Sequence, residues 1–403
     1  MSGKVYIVAA KRTAVGAFLG GLKSLSAVEL ASSVIRSALQ QASISPEDVD
    51  EVIVGNVLSA GLGQGVARQA AMHAGITHTT PAYSLNMICG SGAKSVINAY
   101  NAIYSKSAEV VVAAGSESMS NAAFVMEGKC RQGNKMGDIS LTDTMLKDGL
   151  IDAFDNSHMG VTAENIAKRY SISRQEQDEF ALRSQHRAKY AIENGHFATE
   201  IVPLSIKTRT AALEFSTDEH PRKDASIESL AGLRPAFQER GSVTAGNSSG
   251  LNDGAAALVL VSQEYLQRNN LTPLAEIVSV GQGGVEPEVM GLGPIPAIKQ
   301  ALERATLSLR DVERLELNEA FAAQAIGVMK GLSQQHDVGY DWFDDKTNLN
   351  GGAIALGHPI GASGARVLTT LVYELIRSNT TLGLASLCIG GGMGSAIVIK
   401  RAC

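Results

Sequence analysis

The sequence predicts an α/β protein made of two similar halves with a further segment inserted between them, and three observations carry that prediction. The first 118 residues alternate short β-rich runs with helical patterns. Residues 42–54 (ASISPEDVDEVIV) recur without a gap at 305–317 (ATLSLRDVERLEL), matching Ser45 with Ser308, Asp48 with Asp311 and Val49 with Val312. Residues 119–249 break the rhythm with polar loops. A chain of 403 residues is in any case too long for one ordinary core.

In chain order, the apolar run at 4–10 reads as a strand. The 26–42 segment reads as a helix, because Ala27, Leu30, Ala31, Val34, Ile35, Ala38 and Leu39 fall on one face suited to covering a sheet. Strands follow near 51–57 and 82–87, then a helix at 90–105 and a strand near 108–115. Ser91-Gly92-Ala93-Lys94 lines up with Ser363-Gly364-Ala365-Arg366, each followed by a helix and an apolar strand. The spacing is far too long for a solenoid and implies a pseudo-symmetric pair: residues 1–118 with 250–270 as one half, and 271–403 as the other. The inserted 119–249 segment carries two helices, one opening with a capping box at Ser173 and Glu176. The polar Ser333–Thr347 stretch, with the only tryptophan, Trp342, reads as a surface loop.

Charge and cysteine usage narrow the function. With 35 basic and 40 acidic side chains the formal charge is −5, so nothing draws the whole molecule to nucleic acid or to an anionic membrane. The four cysteines (89, 130, 388, 403) lack paired spacing, which argues against a disulfide framework and a zinc site, and the metal expectation is none. A reducing cytoplasm fits. The amino terminus enters a strand-like run within three residues, leaving no room for a leader, and no apolar run approaches the roughly 18 residues of a membrane span. The carboxyl end matches neither a peroxisomal nor a prenylation signal.

Four residues have the chemistry of a covalent catalyst. Cys89, in Asn86-Met87-Ile88-Cys89-Gly90-Ser91-Gly92, sits between an apolar strand and a helical pattern, where free N–H groups and the helix dipole favour thiolate. Cys388 ends the apolar run 382–387 and faces Gly390-Gly391-Gly392, which permits close approach of a ligand. His358 lies on a loop stiffened by Pro359, and Asn318 follows a strand of the second half, placed to fix a water or an oxygen. Taken singly, structural readings are the more common: a small buried cysteine, a glycine turn, a hydrogen-bonded histidine, a turn-forming asparagine. Taken together they supply a nucleophile, its base and a second proton carrier.

The Cys89 elbow, the Gly246-Asn247-Ser248-Ser249-Gly250-Leu251-Asn252-Asp253-Gly254 segment, the Asn318-Glu319-Ala320-Phe321 turn, the Gly357-His358-Pro359 loop and the Cys388 glycine loop resemble thiolase motifs, in thiolase order, over nearly the whole chain. The resemblance implies a five-layer αβαβα core and a reversible Claisen condensation of two acetyl-CoA to acetoacetyl-CoA and CoA. The residue matching Cys89 takes the acyl group, that matching His358 activates it, and that matching Cys388 exchanges a proton with Cα and the leaving thiol. One oxyanion hole would comprise His358 and a water on Asn318, the other the N–H groups of Cys89 and Gly390. The likeness also implies CoA binding in the 119–249 segment, with Ser249 at the pantetheine and Arg222 beside the nucleotide, and an acyl pocket of His158, Met159, Met290 and Phe321. Arg222 is otherwise a solvated charge, and the apolar set otherwise ordinary core.

By the same resemblance no tightly bound cofactor is expected, CoA thioesters being substrates, and the assembly would be a homotetramer, a dimer of dimers. Ser157 and Met393 stand where acetoacetyl-CoA thiolases usually have tyrosine and glutamine, which weakens the inference of a short acyl chain. Cys130 and Cys403 match no motif and read as incidental thiols. The competing readings are a broad-range 3-ketoacyl-CoA thiolase and an inactive, thiolase-like lipid carrier. A condensing acyl-carrier synthase would pair its cysteine with two histidines or with histidine and asparagine, and Cys388 disfavours it.

Overall fold

In the computed structural model, which describes residues 3–207 and 211–402, the first half consists chiefly of β1 (Val5–Thr13), α1 (Ala27–Ala42), β2 (Glu51–Gly55), α2 (Val66–Ala74), β3 (Ala82–Leu85), α3 (Ser91–Tyr104) and β4 (Val110–Ser118). Helices α4 (Met159–Arg169) and α5 (Arg174–Glu193) come before β5 (Asn252–Ser262). The second half follows with β6 (Ala275–Gly284), α6 (Pro294–Ala305), β7 (Arg314–Leu317), α7 (Ala322–His336), α8 (Ser363–Arg377), β8 (Leu382–Ile389) and β9 (Met393–Arg401). Cys403 lies outside the described residues.

Alternation with period two lets each strand serve two cores. Along β4, Val110, Val112 and Ala114 join an outer cluster with α1 and α2, while Val111 and Ala113 join an inner one with α3 and α8. On β5, Ala255, Ala257, Val259 and Val261 face outward, and Ala256, Leu258 and Leu260 inward. The second half does the same, its outer face covered by α6 and α7. Stacked in order, these elements give five layers: helices, sheet, the α3 and α8 pair, sheet, helices.

The main strands are ordered β7-β8-β9-β6-β1-β5-β4-β2-β3, so the two halves meet along β1 and β6. That junction is antiparallel, Val5 opposite Ile277, Tyr6 opposite Glu276 and Ile7 opposite Ala275. A register irregularity between Ile7 and Ala9 on β1 is repeated between Ile277 and Ser279 on β6. Repetition of so local a bulge is what a duplicated unit produces.

At the centre, α3 and α8 touch backbone to backbone near their amino ends. A Cβ on Gly92 would lie 2.8 Å from the Ala365 nitrogen, and one on Gly364 would lie 2.1 Å from that of Ala93. Only glycine permits this approach, which sets the loops before the two helices side by side. Those loops carry Cys89 and His358.

Capping fixes other helix starts. The capping box at Ser173 and Glu176 opens α5, and a second, at Ser26 and Glu29, opens α1. Such a cap contributes about 1 kcal/mol. Between α5 and β5 the chain is anchored to β1 by buried Arg12, whose guanidinium donates to Glu200 (2.5 Å) and to both carboxylate oxygens of Asp218 (2.7 and 3.0 Å). Removing one partner of such a buried, hydrogen-bonded set costs roughly 3–5 kcal/mol.

The Ser333–Thr347 stretch corrects the expectation of a surface loop. Helix α7 continues to His336, a 3₁₀ turn forms over Tyr340–Phe343, and Phe343 is buried with Trp342 packed edge-on against it (5.0 Å between ring centroids). Two aromatic side chains on the α7 core outweighed the polar average of the segment. Among the described residues no helix is long and apolar enough to cross a membrane.

Candidate active site

Cys89 occupies a strained elbow. Ile88, just before it, has φ +46°, a conformation that costs a β-branched residue about 1–3 kcal/mol and persists only where its surroundings impose it. Here the Asn86 side chain accepts from the Ile88 N–H (2.9 Å), and Ser91 Oγ accepts from the Met87 N–H (2.9 Å) while donating to the Ile88 carbonyl (2.7 Å). The thiol therefore projects from a fixed turn, one residue ahead of the Gly90 cap of α3.

The expectation that this position would favour thiolate is not met in the resting protein. Burial pushes the Cys89 thiol up to about 11, against the pull of the Gly390 and Cys89 N–H groups and with a further push from Glu117. Desolvation wins because Cys89 lies in an apolar nest of Val57, Leu58, Met119, Met145 and Ile360. A nucleophilic role for Cys89 therefore requires a base to take its proton.

His358 has the geometry of such a base. Its N–H donates to the Asn252 side chain (2.9 Å), whose own Nδ2 donates to the Gly16 carbonyl (2.9 Å). Gly357, at φ +99°, lies so close to Asn252 that a Cβ would come within 2.5 Å of it. The imidazole Nδ1 is 2.6 Å from Ser363 Oγ, and that hydroxyl donates to the Pro359 carbonyl (3.0 Å). Because its single proton is used there, Ser363 receives one from Nδ1, which leaves Nε2 as the bare acceptor. Nε2 has no partner among the described residues, and burial, then Arg366, lowers the imidazole to about 3, so it rests neutral.

Cys388, the penultimate residue of β8, is fully buried, its thiol raised above its ordinary range by burial and then by Cys89. The two cysteine loops interlock: a Cβ on Gly90 would meet Ile389 Cδ1 at 2.3 Å, and one on Gly390 would meet Ile88 Cγ2 at 3.4 Å. Asn318 follows β7, its N–H bonded to the Ser386 carbonyl (3.0 Å), and neither polar atom of its buried side-chain amide has a partner among the described residues.

One cavity of about 400 Å³ gathers these groups. Cys89, His358, Cys388, Ser249, Arg222, His158, Met159, Met290 and Phe321 all line it; Asn318 and Gly390 do not, although the Gly390 N–H points to the Cys89 sulfur. Its wall is aromatic: His158 stacks on Phe237 (4.7 Å) and Phe237 meets Phe321 edge-on (6.0 Å). His158 Nδ1 accepts from the Gly160 N–H (3.0 Å), so its Nε2 carries the proton and is a donor. Ser249 is placed by backbone pairing, its N–H to the Ala320 carbonyl (2.9 Å) and the Ala322 N–H to the Asn247 carbonyl (2.8 Å). Arg222 is exposed at the mouth, its N–H bonded to Gln185 (2.9 Å).

Sequence reasoning missed Phe237, His220, Met119, Ile360 and Leu146 in this lining. Phe237 carries no local signal, since only the packing of the inserted segment delivers it. Asn252 lies within one of the sequence motifs, but its role as the anchor of the His358 loop is set by contacts with Gly16 and His358 that only the fold creates.

Fold and cavity together define a class: a duplicated, five-layered α/β protein with a cysteine elbow, a second thiol and an imidazole at the seam of its halves. Residues 5–264 match the thiolase N-terminal domain and residues 271–401 the thiolase C-terminal domain. The chain belongs to the thiolase family. It is 51% identical over 395 residues to the acetyl-CoA acetyltransferase of Escherichia coli (strain K12), covering 98% of each chain. The solved acetyl-CoA acetyltransferase from Syntrophomonas wolfei superposes with a TM-score of 0.97 at 39% identity, over 100% of both chains. Human mitochondrial 3-ketoacyl-CoA thiolase in complex with CoA superposes at 0.93 and 42% identity, over 100% of this chain and 98% of that one.

Proposed function

We propose that this protein is an acetyl-CoA C-acetyltransferase that reversibly joins two acetyl-CoA into acetoacetyl-CoA and CoA through an acetyl-Cys89 intermediate. The observation that carries this reading is the single cavity in which Cys89 and Cys388 face an imidazole with its Nε2 open. His358 Nε2 takes the Cys89 proton as the sulfur attacks the thioester carbonyl; the C–S bond to CoA breaks, and the departing thiolate takes a proton from Cys388. That leaves a Cys388 thiolate and a His358 imidazolium, which compensate one another in a buried site. The thiolate then removes a Cα proton from a second acetyl-CoA, the carbanion attacks the acetyl-cysteine, and the released Cys89 thiolate recovers its proton from His358. The N–H groups of Cys89 and Gly390 are the oxyanion donors for one half-reaction, and His358 with a water on Asn318 for the other.

CoA binding in the 119–249 segment is supported by Arg222 at the cavity mouth and by the Arg12 anchor of Asp218. A homotetramer in the cytoplasm belongs to the same reading, and the exposed apolar side chains of Phe124, Met126, Met136 and Leu141 support association. Intact-mass measurement after incubation with acetoacetyl-CoA tests the mechanism: one acetyl adduct mapped to Cys89 is expected, and no adduct, or one elsewhere, rejects it.

A broad-range 3-ketoacyl-CoA thiolase is the second reading, favoured by the likeness to the human mitochondrial enzyme. Against it stands the wall of His158, Phe237, Phe321, Met159 and Met290. Thiolysis is therefore expected to fall sharply beyond a four-carbon acyl chain, and similar kcat/KM values across longer chains would reverse the choice. The pH dependence is also fixed in sign. A histidine lowered to about 3 is a competent base everywhere above that value, and Cys89 stays protonated up to about 11. Titration of His358 should therefore add no inflection to the rate of enzyme acylation near pH ~6.5, where free imidazole titrates; rapid-quench measurements on Glu117→Gln, which removes the carboxyl that burial raises to about 7, check it.

A further inference from the structure

Glu117, the penultimate residue of β4, is a fully buried carboxylate that accepts four hydrogen bonds. Oε1 accepts from Asn56 Nδ2 (2.8 Å) and the Leu58 N–H (3.1 Å), and Oε2 accepts from the N–H groups of Val57 (3.1 Å) and Gly361 (3.0 Å). Three donors come from the segment after β2; the fourth comes from the His358 loop in the other half of the chain. A Cβ on Gly361 would lie 2.6 Å from Oε2, so the carboxylate reaches that N–H only because residue 361 is glycine.

The residues clamped in this way are those that surround the nucleophile. Val57, Leu58 and Ile360 pack with Cys89 and with Met119, two residues beyond Glu117, and Met119 and Ile360 reach the cavity. Building on the reading of Cys89 as nucleophile, we propose that Glu117 is a positioning residue: its carboxylate ties residues 56–58 to the His358–Gly361 loop and so sets the apolar floor against which the Cys89 thiol and the acyl group lie.

The charge has its own consequence. With both oxygens occupied by N–H donors, no acceptor is left for a carboxyl proton, and the arrangement suits the ionised form. Burial raises the group to about 7, opposed by the Leu58, Val57 and Gly361 N–H groups and assisted by Asp253 on β5. Above that value a fixed negative charge faces Cys89 from β4, alongside neutral His358 and Cys388, and disfavours thiolate until the base acts.

The test uses the full chain with Glu117→Gln and Glu117→Asp, reading steady-state thiolysis and the pH dependence of Cys89 alkylation by iodoacetamide, mapped by peptide mass. Glutamine keeps the shape but turns a donor toward N–H groups and removes the charge. It should lower kcat about 10²-fold with little change in KM, and should move the alkylation midpoint down. Aspartate keeps the charge and loses reach, so kcat should fall while the midpoint stays near wild type. Wild-type kcat in Glu117→Gln, or lost kcat with an unmoved midpoint, overturns the proposal. If the glutamine variant does not fold, the aspartate variant decides, since undiminished kcat with the shorter side chain rejects the clamp. Failure of the nucleophile assignment would register separately, as turnover surviving in Cys89→Ala.

Discussion

Replacing Cys89 by alanine is expected to lower thiolysis by about 10⁴- to 10⁶-fold, the range seen when a covalent nucleophile is deleted from an otherwise complete site. The loss should fall on kcat, because the cavity walls that hold the thioester are untouched. Stability should change little: the side chain loses one sulfur atom, and the elbow is held by Asn86, Ser91 and the backbone rather than by the thiol. The measurement is turnover of acetoacetyl-CoA beside the thermal midpoint of the same preparation. Activity near wild type in a folded variant would remove Cys89 from the mechanism. Serine is a sharper probe still, since it restores size and a hydroxyl. Its far higher proton affinity leaves it a poor nucleophile for a neutral imidazole, so Cys89→Ser should be nearly as slow as alanine.

How much of this was legible beforehand depended on the range of the interaction. The face of α1 and the duplicated strand-to-helix units could be read because apolar periodicity and repetition are local properties of the sequence, and the structure realises both. The two cysteines stood out before glycine-rich turns, His358 between Gly357 and Pro359, and Asn318 directly after β7. What could not be read was electrostatic and tertiary. Position before a helix suggested a thiolate at Cys89, yet the apolar nest around it arrives from segments far apart in the chain, and burial reverses the sign. The polar average of the 333–347 stretch concealed Phe343, because one buried aromatic outweighs several solvated neighbours. Glu117 did offer a signal, a charged residue closing a strand that begins as an apolar run, but its four hydrogen bonds are fixed only by the fold.

Replacing Cys388 by alanine should separate the two half-reactions. In the proposed cycle this thiol is an acid while CoA departs and a base when the second acetyl-CoA arrives. Its depth in the core and its proximity to Cys89 keep it protonated at rest, as an acid must be. Once the proton has gone to CoA, the imidazolium at His358 stabilises the thiolate that remains. Loss of the thiol leaves acylation with water or CoA itself as proton source, a lesser handicap because a thiolate is a good leaving group. Abstraction of a Cα proton is the step left without its base, since His358 is then protonated and His158 Nε2 already carries a proton, which leaves His220 as the one other imidazole in the described lining. Exchange of the acetyl-CoA methyl hydrogens with deuterated solvent should therefore fall about 10³-fold or more, within or above the usual contribution of a positioned acid or base, while acetyl-Cys89 still forms and accumulates in the intact-mass spectrum. Equal loss of both steps would mean that Cys388 serves the shape of the site rather than its proton transfers, and undiminished exchange would assign the Cα proton to another group.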